Sequence, residues 1–279
     1  MPVVAMLHPG QMGAALAAQA RRTGARVLWC SAGRSAATAE RAEAAGLTAV
    51  PELGDVLAAA RIVLSVCPPE FAEDVATRVA EHGYDGTFVE ANAISPRRCQ
   101  RIAERLAAVG ATVVDGSIIG PPPRAGATAR VYLAGERRCV GAVEAIFHDT
   151  DAEVMTLGEE IGAASALKMA FAGFNKISHV LSAVSHALAA RHQVTEQLIA
   201  EAERLTLGPL ARPRSLPGTA ARAWRWVPEM GEIADTLSAA GLPPDMAHAA
   251  ASVLARWEAD KDAWELSVED VLARLGRGA

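Results

Sequence analysis

Aromatic residues make up only 4% of this 279-residue chain, and cysteine occurs four times. Cys30, Cys67, Cys99 and Cys139 lie far apart, without a CxxC spacing, so neither a zinc knuckle nor a redox pair is suggested. Scattered single cysteines suit a reducing compartment, where the thiol packs as a small hydrophobe. A basic excess is missing too. The net charge is −5, which argues against nucleic acid as the main partner, because phosphate binding needs clustered Lys and Arg. A local basic patch stays compatible with one small phosphate. No uninterrupted apolar run is long enough to span a bilayer. The opening Val3-Val4-Ala5-Met6-Leu7 reads at once as a strand and lacks the basic head of a signal peptide. A cytoplasmic protein with no membrane contact is expected.

Hydrophobic residues at 51% and charged residues at 21% are ordinary globular usage. A chain of this length makes one large domain or two modest ones, without a disulfide or metal staple. Its first half alternates short apolar runs with Ala-rich amphipathic stretches. The runs Val3–Leu7, Val27–Cys30, Ile62–Cys67, Thr87–Val89, Thr112–Asp115 and Arg130–Ala134 predict strands. Met12–Thr23, Ala36–Ala45, Leu53–Ala60, Glu70–Glu81 and Pro96–Val109 predict helices. This is an α/β pattern with a mostly parallel, doubly wound sheet.

After Leu157 the strand signals stop. One long helix is expected from Glu159 to about Val194, then helices at Thr195–Leu207, Ala220–Ala240, Pro244–Ala259 and Val268–Leu275. Gly208–Gly218, with Pro209, Pro213 and Pro217, reads as a connector. The division predicted is a Rossmann-type domain over 1–158 and an all-helical substrate and dimerisation domain over 159–279. A long helix rich in small residues has more faces than so small a domain covers, which points to a homodimer.

The segment Leu7-His8-Pro9-Gly10-Gln11-Met12-Gly13 joins the first strand to the first helix. It matches GxGxxG with His8 in the first glycine place. Gly10 allows close approach of a pyrophosphate, Gly13 allows the helix to pack on the sheet, and the helix N-terminus offers free N–H groups. An ordinary βα turn is the plainer alternative. An NAD site has an acid at the end of the second strand. Here Ser31-Ala32-Gly33-Arg34-Ser35 has none. Ser31, Arg34 and Ser35 suit a 2′-phosphate instead, making NADP the expected cofactor. Otherwise Arg34 is a solvated loop residue.

Ligands of open α/β sheets gather at the carboxyl ends of the strands. There lie Cys67-Pro68, the Glu90–Pro96 loop and Asp115–Pro122. Asn92 is a candidate at the cofactor edge, and Ser95 a helix cap. Lys168 is the one charge in Gly162–Ala170, and helical spacing places it on a stripe with Asn175, His179 and His186. A lysine among apolar neighbours either snorkels to solvent or serves in proton transfer. Two histidines seven apart make a poor chelate, so no metal is expected. Trp224-Arg225-Trp226, followed by Glu229, either walls an apolar pocket or packs in the core.

Together these segments resemble the β-hydroxyacid dehydrogenase superfamily, which includes 6-phosphogluconate and 3-hydroxyisobutyrate dehydrogenases and the imine reductases. The likeness rests on the His8–Gly13 loop, the Ser31–Ser35 turn, the Ser165–Met169 helix and the Trp226…Met230 segment, and spans nearly the whole chain. It implies a long interdomain helix and an active site between the domains, with Lys168 as catalytic lysine. It implies that Ser117, Ile118 and Gly120 belong to the loop that grips substrate, with Trp226 and Glu229 facing the same small molecule. Phe171 and Ala172 stand where the hydroxyacid enzymes carry asparagine, with Asn175 a turn further on. Ile118-Ile119 make the pocket less polar. A larger, more apolar substrate follows. Imine reductases generally lack the lysine, which favours carbonyl chemistry. An imine reductase and a non-catalytic NADP(H) sensor are the alternatives.

Overall fold

The computed structural model describes residues 1–206 and 208–276. Strands β1 (Val3–Met6), β2 (Arg26–Cys30), β3 (Thr48–Val50), β4 (Ile62–Ser65), β5 (Thr87–Glu90), β6 (Thr112–Ile119), β7 (Ala129–Ala134) and β8 (Ala152–Thr156) form one sheet. Its order is β3-β2-β1-β4-β5-β6-β7-β8. The first six strands are parallel; β7 runs antiparallel to β6, and β8 parallel to β7. The chain leaves β1 in one direction and returns to its other side as β4, so the topological switch point lies between these two strands.

Helices α1 (Gln11–Arg22), α2 (Ala36–Ala44), α3 (Leu53–Ala59), α4 (Ala72–Glu81), α5 (Pro96–Ala107) and α6 (Arg137–Ala145) cover the sheet. Side chains alternate along the strands between two cores. Val4, Met6, Leu64, Val89 and Val114 pack with Leu16 and Ala17 of α1. Ala5, Val63, Phe88 and Val113 pack with Val75, Ile102 and Leu106 on the other side. Both faces of the sheet are therefore dry, as the continuous apolar runs require.

The strand prediction misses β3 and β8, and the helix prediction misses α6. β3 is three residues long, with its first two exposed, so it carries little apolar signal. β8 lies at a sheet edge with only Ala152 fully buried and Glu153 and Thr156 exposed, so it too carries little apolar signal. β6 extends four residues beyond the expected Asp115 because it continues along β7.

The chain divides into two compact units, Met1–Lys168 and the residues from Met169 onward. Helix α7 (Ala163–Arg191) starts in the first and continues in the second. It begins after the expected Glu159 because Gly158 and Gly162 take φ +113° and +110°, conformations that end or precede a right-handed helix. The helical unit adds α8 (Thr195–Arg204), α9 (Leu216–Ala220), α10 (Ala223–Ala239), α11 (Asp245–Leu254) and α12 (Val268–Leu275). The expected end of the α8 segment, Leu207, lies outside the described residues. The connector is partly ordered: Pro213–Ser215 form a 3-10 turn that leads into α9. The expected helix to Ala259 stops at Leu254 and tightens into a 3-10 segment, where Trp257 leaves helical geometry. Trp257 is fully buried and donates its indole N–H to Val271 O at 3.0 Å, tying α12 to the unit. Among the described residues no helix is long and apolar enough to cross a membrane.

Candidate active site

The glycine loop runs straight from β1 into α1. A Cβ on Gly13 would lie 2.3 Å from His8 O, so only glycine allows this helix to sit on the loop. Gly10 is different. Its φ is −69° and a Cβ there would meet nothing within 4 Å. Neither backbone nor packing demands glycine at 10, which leaves an open side over the helix start. No side chain caps α1, so its first amides at Gln11, Met12 and Gly13 keep their donors for an anion. Pro9 is buried and Met12 packs against the core beneath. These features fit a dinucleotide's pyrophosphate.

In the turn after β2 the three candidate side chains have separate partners. Ser31, Arg34 and Ser35 do not converge on one outward point. Ser31 Oγ donates to Val50 O at 3.4 Å, and Ser35 Oγ caps α2 by accepting from Thr38 N at 3.3 Å. Gly33 at φ +70° and the Arg34 N–H to Ser31 O bond close a tight turn. Arg34 consequently points back over β1, with Nη2 3.0 Å from His8 Nε2 and 3.4 Å from Leu7 O. Arg41, which the sequence reading missed, reaches the same loop from α2 and donates to Pro9 O at 3.4 Å. Burial, then the charges of Arg34 and Arg78, push the His8 pKa down to about 4. The imidazole is neutral at physiological pH, and Nε2 accepts.

At the ends of β4 and β5, Asn92 is 3% exposed and its side chain is committed to the protein. Oδ1 accepts from Cys67 N, and Nδ2 donates to Ser65 Oγ at 3.1 Å. Asn92 therefore shapes the Cys67-Pro68 turn rather than presenting a free amide. Burial and the nearby Glu90 raise the Cys67 thiol to about 12, which makes it a poor nucleophile. Ser95 is at the N-cap of α5 with Pro96 following, but its side chain makes no capping bond.

The sequence reading missed the organising group, Asp115. It is completely buried on β6. Its Oδ2 accepts from the amides of Gly162, Ala164 and Ser165 at 2.9, 2.8 and 3.1 Å, and its Oδ1 accepts from Ser165 Oγ at 2.7 Å. A strand carboxylate thus caps the start of α7. One turn further, Lys168 Nζ donates to Ile118 O at 2.7 Å. The lysine is half-buried, and its ammonium is held at the end of β6. The Ile118 side chain packs in the core, so Ile118 contributes its carbonyl and no side-chain contact. Ser117 Oγ is buried and has no partner among the described residues. Gly120 is required by the backbone: its φ is +125°, and a Cβ would lie 2.9 Å from Thr128 O across the β6–β7 pair.

In the helical unit, the stripe of Asn175, His179 and His186 meets different surroundings along its length. Asn175 is exposed, whereas His186 is fully buried with Nε2 2.7 Å from Leu210 O. The neighbouring Lys176, which the sequence reading passed over, is 7% exposed and forms an ion pair with Glu229. Lys176 and Arg222 lie 5.5 and 5.8 Å from the Trp226 ring centre, with the His179 ring at 5.9 Å. Burial and then Arg222 lower the His179 pKa. Trp226 and Glu229 are thus brought together, and Glu229 Oε1 is buried with no partner among the described residues.

The family described as the NAD binding domain of 6-phosphogluconate dehydrogenase matches residues 4–158. A domain of unknown function matches residues 189–257. Among solved structures, a Mycobacterium tuberculosis 3-hydroxyisobutyrate dehydrogenase is similar at 19% identity and TM-score 0.77, over 99% of this chain and 100% of that one. A conserved protein of unknown function, described as structurally similar to 3-hydroxyacid dehydrogenases, is 24% identical with TM-score 0.72, over 99% and 100% of the two chains. An imine reductase from Bacillus cereus is 18% identical with TM-score 0.62, over 98% of each chain. No curated protein matches. The fold is therefore shared by hydroxyacid dehydrogenases and imine reductases alike.

Proposed function

The chain belongs to the family of the NAD binding domain of 6-phosphogluconate dehydrogenase, and from that premise we propose an NADP(H)-dependent oxidoreductase acting on a carbonyl or hydroxyl compound. The carrying observation is that one compact unit holds both an open glycine loop and a lysine fixed at the end of β6. When bound, the cofactor supplies or accepts the hydride. The chain does the rest. The α1 amides and the open side of Gly10 receive the pyrophosphate. Lys168 gives a proton to the substrate oxygen during reduction and takes it back during oxidation. Ser117 offers a hydroxyl, while Trp226 and Glu229 are the candidate substrate contacts of the helical unit. We assign the cofactor to residues 1–158, and substrate and dimer contacts to 159–279, of which 277–279 lie outside the described residues.

The phosphorylated cofactor is favoured because Ser31–Ser35 carry no acid, while Arg34 and Arg41 both reach the glycine loop. The test is NADPH oxidation against a panel of carbonyl compounds and cyclic imines. Carbonyl turnover supports the reading. Turnover of imines alone makes the protein an imine reductase, and tight NADPH binding without turnover makes it a sensor.

We further propose a homodimer through α7. Phe171, Phe174, Leu181, Val184 and Leu188 lie along one side of this helix and are all exposed, Phe174 to 78%. A contiguous apolar row of this kind marks an association surface. Sedimentation velocity is expected to give twice the chain mass, and Phe174→Glu with Leu181→Glu to give the single chain. A wild-type monomer at micromolar concentration rejects the dimer.

A further inference from the structure

Arg34 lies across the place where a dinucleotide enters. Its Nη2 bridges His8 Nε2 and Leu7 O at the end of β1. Its charge also offsets part of the rise in the pKa of Cys67, which follows β4. The Arg34 Nε is buried and has no partner among the described residues. One donor edge of this arginine is thus only half satisfied, and its partners, a neutral imidazole and a backbone carbonyl, are weaker than an anion. The Gly33 turn sets this inward direction. His8, where the loop pattern has glycine, supplies the acceptor.

We propose that Arg34 is a latch over the dinucleotide crevice, caught by His8, which any cofactor must displace and for which only a 2′-phosphate provides a new partner. This rests on the NADP reading above. Loss of the bonds to His8 and Leu7 falls equally on both nicotinamide cofactors. With NADH the displaced guanidinium gains no anion. With NADPH it gains a charge-assisted fork contact to the phosphate. The arginine then has two parts to play, a cost borne by both cofactors and a gain for NADPH alone, and only the second sets the preference. An arginine acting only as a phosphate ligand gives the second part alone.

The test is calorimetric titration of the full chain with NADPH and with NADH. It compares wild type, Arg34→Ala and His8→Ala, each checked for native circular dichroism. Arg34→Ala is expected to weaken NADPH by at least about tenfold and to tighten NADH by about fivefold. His8→Ala, which frees Arg34 without removing it, is expected to tighten both cofactors by roughly two- to fivefold. If Arg34→Ala weakens NADPH but leaves NADH unchanged or weaker, the latch is overturned and the phosphate contact stands. If NADH and NADPH both tighten, the latch stands and the phosphate contact falls. No change with either cofactor, or no binding to wild type, overturns both. Failure of His8→Ala to tighten either cofactor overturns His8 as the catch.

Discussion

Lys168→Ala is expected to lower kcat for carbonyl reduction about a thousandfold, with NADPH affinity within about twofold of wild type. The size comes from the role. A positioned proton donor contributes about 10²- to 10⁴-fold, and Lys168 is positioned twice over. Asp115 fixes the first turn of α7, and Ile118 O holds the ammonium directly at 2.7 Å. Cofactor affinity is spared because the proposed pyrophosphate contacts lie at Gly10–Gly13, on another strand end. Lys168→Met keeps much of the volume and should lose as much activity, which separates proton transfer from packing. Lys168→Arg should not restore it, because a guanidinium does not give up its proton near neutral pH. The folded state loses a charge-assisted hydrogen bond, about 1.5–3 kcal/mol, too little to unfold the unit. A kcat within tenfold of wild type in both the Ala and Met variants removes Lys168 from the chemistry.

The parts of the site legible in the sequence are those made by neighbours in the chain. The His8–Gly13 loop is a strand, a turn and a helix start within a few residues, and period and glycine spacing specify it locally. Lys168 stood out because its surroundings in Gly162–Ala170 carry no other charge. The groups that were missed act across long separations. Asp115 meets α7 amides some fifty residues on, so it read as the last residue of a strand. Lys176 finds Glu229 on a different helix, and nothing beside Lys176 in the chain announces that partner. The contact of Arg34 with His8 is not legible either, because sequence shows which residues share a turn, not where the turn aims them. The β6 extension, β8 and the antiparallel β7 pairing belong to the same class: pairing direction is settled by tertiary contacts rather than by local propensity.

The two buried carboxyls at the end of β5 and midway along β6 should respond in opposite directions to substitution. Glu90 and Asp115 are paired residues in neighbouring parallel strands, and both are essentially without solvent exposure. Asp115 is satisfied by four donors. Glu90 accepts from Asn92 N at 3.1 Å through Oε1, while Oε2 has no partner among the described residues. Burial first, and Asp115 among the further causes, raise Glu90 from an ordinary 4.5 to about 8. The fold thus holds this proton more tightly than the unfolded chain does. The stability Glu90 contributes is fully present below pH 4.5 and is lost as pH rises through 8. Glu90→Gln keeps an acceptor for Asn92 N and cannot ionise. It should gain about 2 kcal/mol at pH 8 and flatten the fall of Tm between pH 5 and 8. Asp115→Ala strands the buried donors at the start of α7 and removes the helix's anionic cap, at a cost of about 4 kcal/mol. That corresponds to a Tm lower by roughly 10 °C. Activity should fall further than Tm alone explains, because Lys168 sits one turn beyond the loosened cap. Asp115→Asn retains one acceptor oxygen and should lose about half as much. Calorimetry of the three variants across this pH range decides the matter. A Glu90→Gln variant less stable than wild type at pH 8 would show that Glu90 is ionised and held by a donor. An unaltered Tm in Asp115→Ala would show that α7 finds its place without the cap.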